Sequence, residues 1–381
     1  MTIGILKEPA GENRVSLLPE QALVLLKKNV QVLVEESAGV NAFADDAMFT
    51  STGAKVVTRN EVLQKSEVIL SIQLLTAQDV KVLKSGAVLL GVYQPLYNFS
   101  LINEWAAKGF TIFSMDMVPR TTRAQSMDVL SSQANIAGYR AVLVAATMFP
   151  RYFPMFMTAA GSIAPAKVLI LGAGVAGLQA IATARRLGAV VEVFDTRPAV
   201  KEEVISLGAK FVEVEGAIDA SAAGGYAVEQ TEEYKQKQQQ RIAEAIAKAD
   251  IVITTAQIPG KVAPVLITQP MLDSMKAGSI IIDIAAATGG NTPFTKNNET
   301  IRYKGVTIIG NSNLPSGMPW DASKLYGKNI LNFLNLLIDK EGNWNLNWND
   351  DLVKGTCITY NGQVLNERVK DLVKGYLSIG H

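Results

Sequence analysis

The chain has 381 residues, of which 48% are hydrophobic and 19% charged, and its 36 Lys and Arg nearly balance its 35 Asp and Glu. This composition predicts two or three folded domains and argues against a disordered chain. The near-zero net charge, without a basic tract, argues against a nucleic-acid-binding protein. Cys357 and His381 are the only residues of their types, so neither an internal disulfide nor a Cys/His metal site is expected.

The first third of the chain alternates short apolar runs with helical patterns. Apolar runs at 2–6, 30–35, 55–57, 68–72, 87–91 and 111–114 are predicted to be strands, and residues 19–28 and 45–52 are predicted to be helices. Short, continuous apolar runs between helices are typical of buried parallel strands. An open, mostly parallel sheet is therefore expected.

A long apolar helix, predicted over 131–149, leads into a second series of the same kind. Its predicted strands are 168–171, 190–194, 210–214, 251–254, 279–284 and 306–309, and a further long helix is predicted over 323–337. The most apolar window, 141–160, is interrupted by Pro150, Arg151 and Pro154. Because a membrane span needs a longer uninterrupted apolar run, this window predicts a buried helix and loop.

Together these patterns predict an α/β protein with two Rossmann-like, doubly wound parallel-sheet domains joined by long helices. The first domain is expected to be discontinuous, with residues 1–130 and 325–381, and the second to comprise residues 131–324. Residues 216–240 depart from the pattern, with small residues followed by a run rich in Glu, Gln and Lys. They predict either a solvated loop that leads into a surface helix or a mobile flap over a ligand site.

A glycine-rich motif follows directly after the predicted strand 168–171. It reads Gly172-Ala173-Gly174-Val175-Ala176-Gly177, the G-x-G-x-x-G pattern, and a helical sequence continues it. In such a motif the first glycine allows a tight turn, the second lets a pyrophosphate approach the backbone, and the third lets the helix pack close to the strand. The helix N-terminus adds unpaired N–H groups and a positive dipole end. The motif predicts a dinucleotide site.

Asp195 closes the next predicted strand, at the spacing at which this motif carries an acidic residue for the ribose diol. Its carboxylate would repel a 2′-phosphate, so NAD(H) is favoured over NADP(H). Arg197 weakens that preference, because an arginine can accommodate the phosphate. Thr196, between them, belongs to the same predicted site.

The later strands end in small residues that are predicted to extend the nucleotide site. Thr255 and Ala256 follow the strand at 251–254, and ligands bind at the carboxyl ends of such strands. Their small size leaves room for a nicotinamide ring. Asp283, in the strand at 279–284, is either a ligand contact or a structural carboxylate that accepts local N–H bonds, and the sequence leaves both open.

A polar segment, residues 119–133, precedes the long connecting helix. Arg120 and Gln125 are residue types that suit phosphate and amide recognition. Asp128 and Ser131 follow at short spacing. The alternative is an ordinary helix N-terminus that Asp128 or Ser131 caps.

The composition also bears on the chemistry. Hydride transfer between two nicotinamides needs only that the two rings be aligned and water be excluded. A dehydrogenase that acts on an amino or hydroxy acid must also move a proton, normally with His or Lys. The one histidine, His381, is the last residue, where disorder is the default. This favours a cofactor-to-cofactor reaction or a nucleotide-binding module.

The polar segment, with Asn135 and Gly138-Tyr139-Arg140 after it, resembles part of the NAD(H)-binding component of the proton-translocating nicotinamide nucleotide transhydrogenases. The resemblance covers nearly the whole chain. Other matching segments are Lys7-Glu8, Arg14-Val15-Ser16, Pro154 to Gly161, Gly172 to Gly188, Ala263 to Thr268 and Lys354 to Cys357.

The resemblance implies roles for individual residues. Arg120, Gln125, Asp128 and Ser131 would hold and orient the nicotinamide. Tyr226, in Gly224-Gly225-Tyr226, matches the tip of the family's mobile loop and would close over the bound NAD(H). The implied activity is that of a Si-specific, proton-translocating NAD(P)⁺ transhydrogenase, which reduces NADP⁺ held on a partner subunit and is active only with its partners.

The resemblance also implies an assembly. The expected partners are an NADP(H)-binding subunit, a membrane-spanning proton-channel subunit and a second copy of this chain. Many family members continue into membrane-spanning helices, whereas this sequence ends after a tail of mixed polarity. We therefore expect a separate first subunit, cytoplasmic and held at the inner face of the cell membrane through its partners.

Alanine dehydrogenases share this fold and are the alternative. Their active site needs a lysine and a histidine from the first domain. The corresponding places here are Ser71 and Val92, neither of which can carry a proton. Arg14 matches in both groups of proteins and does not discriminate between them.

Overall fold

The computed structural model describes residues 1–214 and 231–379. The chain divides into two compact units. The first unit comprises residues 1–133 and the chain from residue 316 onward, and the second comprises residues 134–315.

The described strands are numbered in chain order. They are β1 (Thr2–Ile5), β2 (Gln31–Glu35), β3 (Lys55–Val57), β4 (Val68–Leu70), β5 (Val88–Gly91), β6 (Thr111–Ser114), β7 (Phe156–Thr158), β8 (Gly161–Ile163), β9 (Lys167–Leu171), β10 (Val190–Phe194), β11 (Lys210–Phe211), β12 (Ile251–Thr254), β13 (Ile280–Asp283), β14 (Glu299–Tyr303), β15 (Val306–Gly310), β16 (Cys357–Tyr360) and β17 (Gln363–Val364).

The described α-helices are numbered in the same way. They are α1 (Pro19–Leu26), α2 (Asp46–Ser51), α3 (Arg59–Lys65), α4 (Ala77–Val82), α5 (Phe99–Ala107), α6 (Val129–Met148), α7 (Val175–Arg186), α8 (Lys201–Ser206), α9 (Glu232–Lys248), α10 (Gln269–Asp273), α11 (Pro319–Leu334), α12 (Asp351–Thr356) and α13 (Glu367–Ile379).

The first unit is built on an eight-stranded sheet in the order β17-β16-β6-β5-β4-β1-β2-β3. Strands β1 to β6 pair in parallel, and β16 runs antiparallel to β6 and β17. The chain builds outward from β1 in one direction through β2 and β3, and then in the other through β4, β5 and β6. The order therefore reverses between β1 and β4, and such a reversal leaves a crevice at the carboxyl ends of the two strands.

Burial on both faces explains why these short apolar runs form parallel strands. In β4, Val68 and Leu70 pack into the core on one face of the sheet, and Ile69 packs into the core on the other. The helices that cover the faces begin at polar caps. Thr58 accepts a hydrogen bond from the backbone N–H of Glu61 at the start of α3, and Thr76 does the same for α4.

The second unit is built on a seven-stranded sheet in the order β11-β10-β9-β12-β13-β15-β14. All pairs are parallel except β14 with β15. Strand β9 is the starting point, β10 and β11 lie to one side, and β12, β13 and β15 lie to the other. The order reverses between β9 and β12, so the carboxyl ends of these two strands define the crevice of this unit.

The structure confirms the α/β class and the two parallel-dominated sheets, and it corrects the sequence prediction in three places. The strand predicted over 210–214 ends at Phe211. Strand β14 was not predicted; it forms a hairpin with β15 through Lys304 and Gly305, which both have positive φ, as a type I′ turn requires. The end of the window predicted to be a buried helix and loop is instead the hairpin β7–β8, whose residues are exposed.

The helices bear on the membrane question. Within residues 1–214 and 231–379, no helix combines the length and the apolar character that a bilayer crossing requires.

Candidate functional site

The predicted glycine turn lies between β9 and α7, at the reversal point of the second sheet. Gly172 has φ +107°, in the left-handed region, and a Cβ there would meet the Thr255 hydroxyl. Its backbone N–H donates to the carbonyl of Phe194, 2.8 Å away, which fixes the turn against the end of β10. Only glycine fits this conformation and this space.

The other two glycines of the motif have different surroundings. No atom lies within 4 Å of a Cβ built on Gly174, the residue that precedes α7. A Cβ on Gly177 would collide with the carbonyl oxygen of Gly172, so the first turn of α7 packs directly on the glycine turn. The open space beside Gly174 therefore faces the unpaired N–H groups of a helix N-terminus, the arrangement that binds a pyrophosphate.

The two residues between these glycines point in opposite directions. The Val175 side chain is 40% exposed, whereas Ala176 is buried. A Cβ on Gly138 of α6 would collide with the carbonyl oxygen of Ala176. Helix α6 thus packs closely against the start of α7 and supports the turn from behind.

Asp195, at the end of β10, is held by four donors. Its Oδ2 accepts from the backbone N–H of Ala173 at 2.7 Å and from Arg197 Nη2 at 2.9 Å. Its Oδ1 accepts from the backbone N–H and Nε of Arg197 at 2.8 and 2.9 Å. Hydrogen bonding to Asp195 raises the pKa of the Arg197 guanidinium, which stays charged. The acidic residue and the arginine, whose effects on a 2′-phosphate oppose each other, form one ion pair.

A cavity of about 160 Å³ adjoins this ion pair. Thr196 lines it together with Asp195, and the other lining residues are Pro198, Lys201, Phe211, Val212, Glu213 and Val214. A larger cavity, of about 310 Å³, lies at the opposite edge of the same sheet, where β13 and β15 begin with Ile280 and Thr307 beside it. It contains none of the predicted site residues, so the smaller cavity is the one that belongs to the nucleotide site.

Thr255 and Ala256 lie on the other side of the reversal point, after β12. The Thr255 hydroxyl donates to the carbonyl of Gly172 at 3.2 Å, and its backbone N–H donates to Leu171 at 3.0 Å. Ala256 is bonded at both its N–H and its carbonyl to the side chain of Asn291, at 3.2 and 2.9 Å. Both predicted residues therefore lie at the carboxyl edge, next to the glycine turn.

Sequence reasoning did not assign a role to Asn291. This residue is fully buried, and its Nδ2 also donates to the carbonyl of Pro264 at 2.8 Å. One amide thus ties together the loops after β12 and β13. The preceding pair Gly289-Gly290, both with positive φ, was the available signal of a tightly specified turn.

Asp283 is fully buried at the end of β13. Its carboxylate accepts from the backbone N–H groups of Ala285 and Asn291, at 3.0 and 2.6 Å, and from the Thr295 hydroxyl at 2.6 Å. These contacts fit the structural role that the sequence left open, since the carboxylate fixes the loop that carries Asn291. A direct contact of Asp283 with the nucleotide stays a prediction.

The polar segment belongs to the first unit. Its apolar members Ala124, Met127 and Val129 are buried in the core, whereas Arg120 and Gln125 are exposed. Asp128 caps α6: its Oδ1 accepts from the backbone N–H of Ser131 at 2.9 Å and its Oδ2 from the Ser131 hydroxyl at 2.5 Å. The capping alternative is confirmed for Asp128.

Residues 4–137 match the family described as alanine dehydrogenase/PNT, N-terminal domain, and residues 141–367 match the corresponding C-terminal domain. The chain belongs to the alanine dehydrogenase/PNT family. It is 46% identical to a Rhodospirillum rubrum protein, the first of the separate chains of NAD(P) transhydrogenase subunit alpha, over 96% of this chain and 98% of that protein. The Rickettsia prowazekii protein of the same name is 44% identical over 97% and 98%.

A solved structure agrees with this placement. The transhydrogenase from Sinorhizobium meliloti superposes with a TM-score of 0.87 and is 44% identical, covering 96% of this chain and 100% of that chain. The alanine dehydrogenase of Staphylococcus epidermidis is 27% identical over 97% of this chain and 96% of that protein. Within the family, the chain therefore groups with the transhydrogenase alpha subunits, and the alanine dehydrogenases are more distant relatives.

The two places that correspond to the proton carriers of alanine dehydrogenases have no such group. The Ser71 hydroxyl lies 3.0 Å from the Tyr93 hydroxyl and donates to the carbonyl of Gln73 at 3.0 Å. Burial raises the pKa of Tyr93 above its ordinary value of 10, so this phenol keeps its proton at neutral pH. Val92 is apolar.

One titratable group in the first unit was not foreseen. Glu8 lies at the reversal point of the first sheet, after β1, and accepts from the backbone N–H groups of Ile72 and Gln73 at 2.6 and 3.0 Å. Burial raises its pKa from 4.5 to about 7. Beside it, Glu12 and Arg14 form a buried ion pair at 2.6 Å. This cluster fills the crevice of the first unit with the chain's own side chains.

Tyr226 and the glycines before it lie outside the described residues, so the flap stays a prediction. Helix α9 begins at Glu232 and is part of the surface helix expected after this segment.

Proposed function

We propose that this chain binds NADH and passes a hydride to NADP⁺ held by a partner subunit. The observation that carries the proposal is the glycine turn of the second unit, with open space beside Gly174 at the N-terminus of α7 and the acidic Asp195 at the end of the next strand. This combination suits a dinucleotide with an unmodified ribose. The family relatives support it, because two of them are named NAD(P) transhydrogenase subunits.

The order of contacts along the nucleotide follows from the sheet. The adenosine end lies toward β10, with the ribose diol at Asp195 and the base toward the 160 Å³ cavity. The pyrophosphate lies at Gly174, and the nicotinamide end extends toward Thr255 and Ala256. Asp283 and Asn291 hold the loops at that end.

The hydride step needs no acid or base. A hydride leaves C4 of NADH with its electron pair and joins C4 of NADP⁺, which yields NAD⁺ and NADPH without a proton change. The protein must align the two rings and exclude water. We assign alignment of the nicotinamide to Arg120, Gln125, Asp128 and Ser131, and closure over it to Tyr226. Si-specificity follows from the same family resemblance.

The assembly is part of the proposal. We infer an NADP(H)-binding partner and a membrane-spanning proton channel, at which this chain sits on the cytoplasmic face. We also infer a homodimer. The hairpin β7–β8 supports it, because Met155, Phe156 and Met157 are 63%, 44% and 72% exposed and Tyr152 stacks on Phe156 at 5.2 Å. An exposed apolar group of this kind is typical of a subunit contact.

The test is hydride exchange in a reconstituted mixture. Purified chain and its isolated NADP(H)-binding partner are mixed with NADH and an NADP⁺ analogue whose reduced form absorbs at a separate wavelength. We expect exchange only when both proteins are present. The matched control is the chain alone with NAD⁺ and L-alanine, where we expect no turnover. Turnover of L-alanine would favour an alanine dehydrogenase, and NADH binding without exchange would favour a nucleotide sensor.

A further inference from the structure

Helix α11 lies against the polar segment within the first unit. Two of its asparagines reach the same backbone carbonyl, that of Ser126: Asn329 Nδ2 donates to it at 2.8 Å and Asn332 Nδ2 at 2.9 Å. Asn329 makes a second contact, because its Oδ1 accepts from the Ser132 hydroxyl at 2.7 Å. One amide therefore bonds both the 3-10 helix before Asp128 and the first turn of α6 after it.

The junction between those two helices is where the backbone needs such a support. The 3-10 helix ends at Met127 and α6 begins at Val129, with Asp128 between them at ψ 90°. The N–H of Asp128 reaches the carbonyl of Gln125 only at 3.4 Å. Regular helical hydrogen bonding is thus weak at the residue whose carboxylate caps α6, and side chains must fix its position.

Burial separates Asn329 from its neighbour. Asn329 is 8% exposed, whereas Asn332 is only half-buried. A buried amide that loses its partners cannot replace them with water, so its bonds are held more firmly than those at the surface. A second support lies beyond Ser132, where Arg14 Nη1 donates to Gln133 Oε1 at 2.8 Å. The first turn of α6 is therefore fixed from two sides.

We propose that Asn329 is a positioning residue for hydride transfer, which clamps the polar segment so that Asp128 and Ser131 hold one geometry. The proposal rests on the function proposed above and adds a residue that does not touch the nucleotide. Affinity for NADH is set mainly by the glycine turn and Asp195, in the other unit. Loss of the clamp should therefore affect alignment more than affinity, because a small misplacement of an aligning group costs rate.

The experiment compares Asn329→Ala with Asn332→Ala in the full chain. Asn329→Ala removes both bonds of the clamp, while Asn332→Ala removes only the second bond to the same carbonyl. For each we measure hydride exchange with the partner, the Kd for NADH, thermal unfolding, and deuterium uptake of peptides covering residues 120–131 without nucleotide. Ser132→Ala, which removes one clamp bond with little change in volume, serves if Asn329→Ala fails to fold.

For Asn329→Ala we expect exchange to slow by about tenfold or more, the Kd for NADH to change by no more than about twofold, and deuterium uptake of residues 120–131 to rise. Asn332→Ala should stay close to the unchanged chain in all of them. Unchanged uptake and rate would overturn the proposal, and so would equal losses of rate and affinity. If the unchanged chain itself shows no exchange, the proposed function fails, while deuterium uptake still decides whether Asn329 holds the segment.

Discussion

The carboxylate of Asp195 already accepts four hydrogen bonds from its own chain. A carboxylate offers about four lone-pair sites. A ribose hydroxyl must therefore share an oxygen with Arg197 or displace one of its bonds. The pair also lowers the repulsion that the carboxylate alone would exert on a 2′-phosphate, because the guanidinium beside it is positive. Selectivity for NADH over NADPH at this site is thus a property of two residues.

Asp195→Ala should weaken NADH binding by about 1–2 kcal/mol, through the lost ribose hydrogen bonds. It should also narrow the preference for NADH over NADPH, because the repulsion disappears and Arg197 becomes able to meet a 2′-phosphate. Fluorescence titration with both nucleotides measures this. Asp273→Asn, which removes a carboxylate bonded to Lys304 on the surface, is the matched control. An unchanged ratio of the two Kd values would contradict the assignment.

Glu8 links burial to pH. In the folded chain it keeps its proton up to about pH 7, and in the unfolded chain only up to about 4.5. The folded state therefore binds more protons between these values. Its contribution to stability is complete below pH 4.5 and is lost as the pH rises through about 7, by at most about 3 kcal/mol.

Glu8→Gln should remove this decline, because an amide does not ionise. The free energy of unfolding, measured in urea at several pH values between 4.5 and 8, should become flatter than that of the unchanged chain. Glu61→Gln is the control, since glutamine can also serve at its exposed capping position, and it should keep the decline. Parallel curves for the Glu8 variant and the unchanged chain would show that this group does not cause the pH dependence.

At the scale of elements, the strand–turn–helix unit of β9 and α7 separates stability from binding. Gly174→Ala places a methyl group where no atom lies within 4 Å, so thermal stability should hardly change. NADH binding should weaken by at least about tenfold, because the methyl occupies the approach of the pyrophosphate.

Gly177→Ala should behave differently, because its Cβ meets the carbonyl oxygen of Gly172 and the helix must shift. A loss of about 1–3 kcal/mol in stability is expected, with weaker NADH binding as well. Thermal melting and titration of both variants test the distinction. Equal melting temperatures for the two variants would contradict it.

The same elements show what a sequence can predict. The glycine turn was predictable because its three constraints lie within six consecutive residues. Strand β14 was not predicted, since the run Glu299 to Tyr303 is mostly polar and exposed at the edge of the sheet. Its one local signal was the turn Lys304-Gly305. Edge strands bury little apolar surface, so periodicity identifies them poorly.

At the scale of the whole molecule, the supports of the site depend on residues far apart in sequence. Asn329 bonds Ser126 across 203 positions, and Glu8 bonds Ile72 across 64. Asp283 was noticed, but its local bonds only became clear once the loop was folded. Nothing in the immediate neighbourhood of these residues predicts their partners, because the partner is chosen by the topology of the sheet. The sequence therefore predicted which residues line the nucleotide site better than which residues hold them.

The two sheets share one order of assembly, yet their reversal points are built differently. In the second unit only the three residues Gly172 to Gly174 separate β9 from α7, whereas in the first unit the thirteen residues Leu6 to Leu18 separate β1 from α1. No helix start directly follows β1 to receive a pyrophosphate, and the carboxylates of Glu8 and Glu12 would repel one. Calorimetric titration should accordingly saturate at a stoichiometry of one dinucleotide per polypeptide, and a second equivalent bound with similar heat would show that both halves of this symmetry accept a ligand.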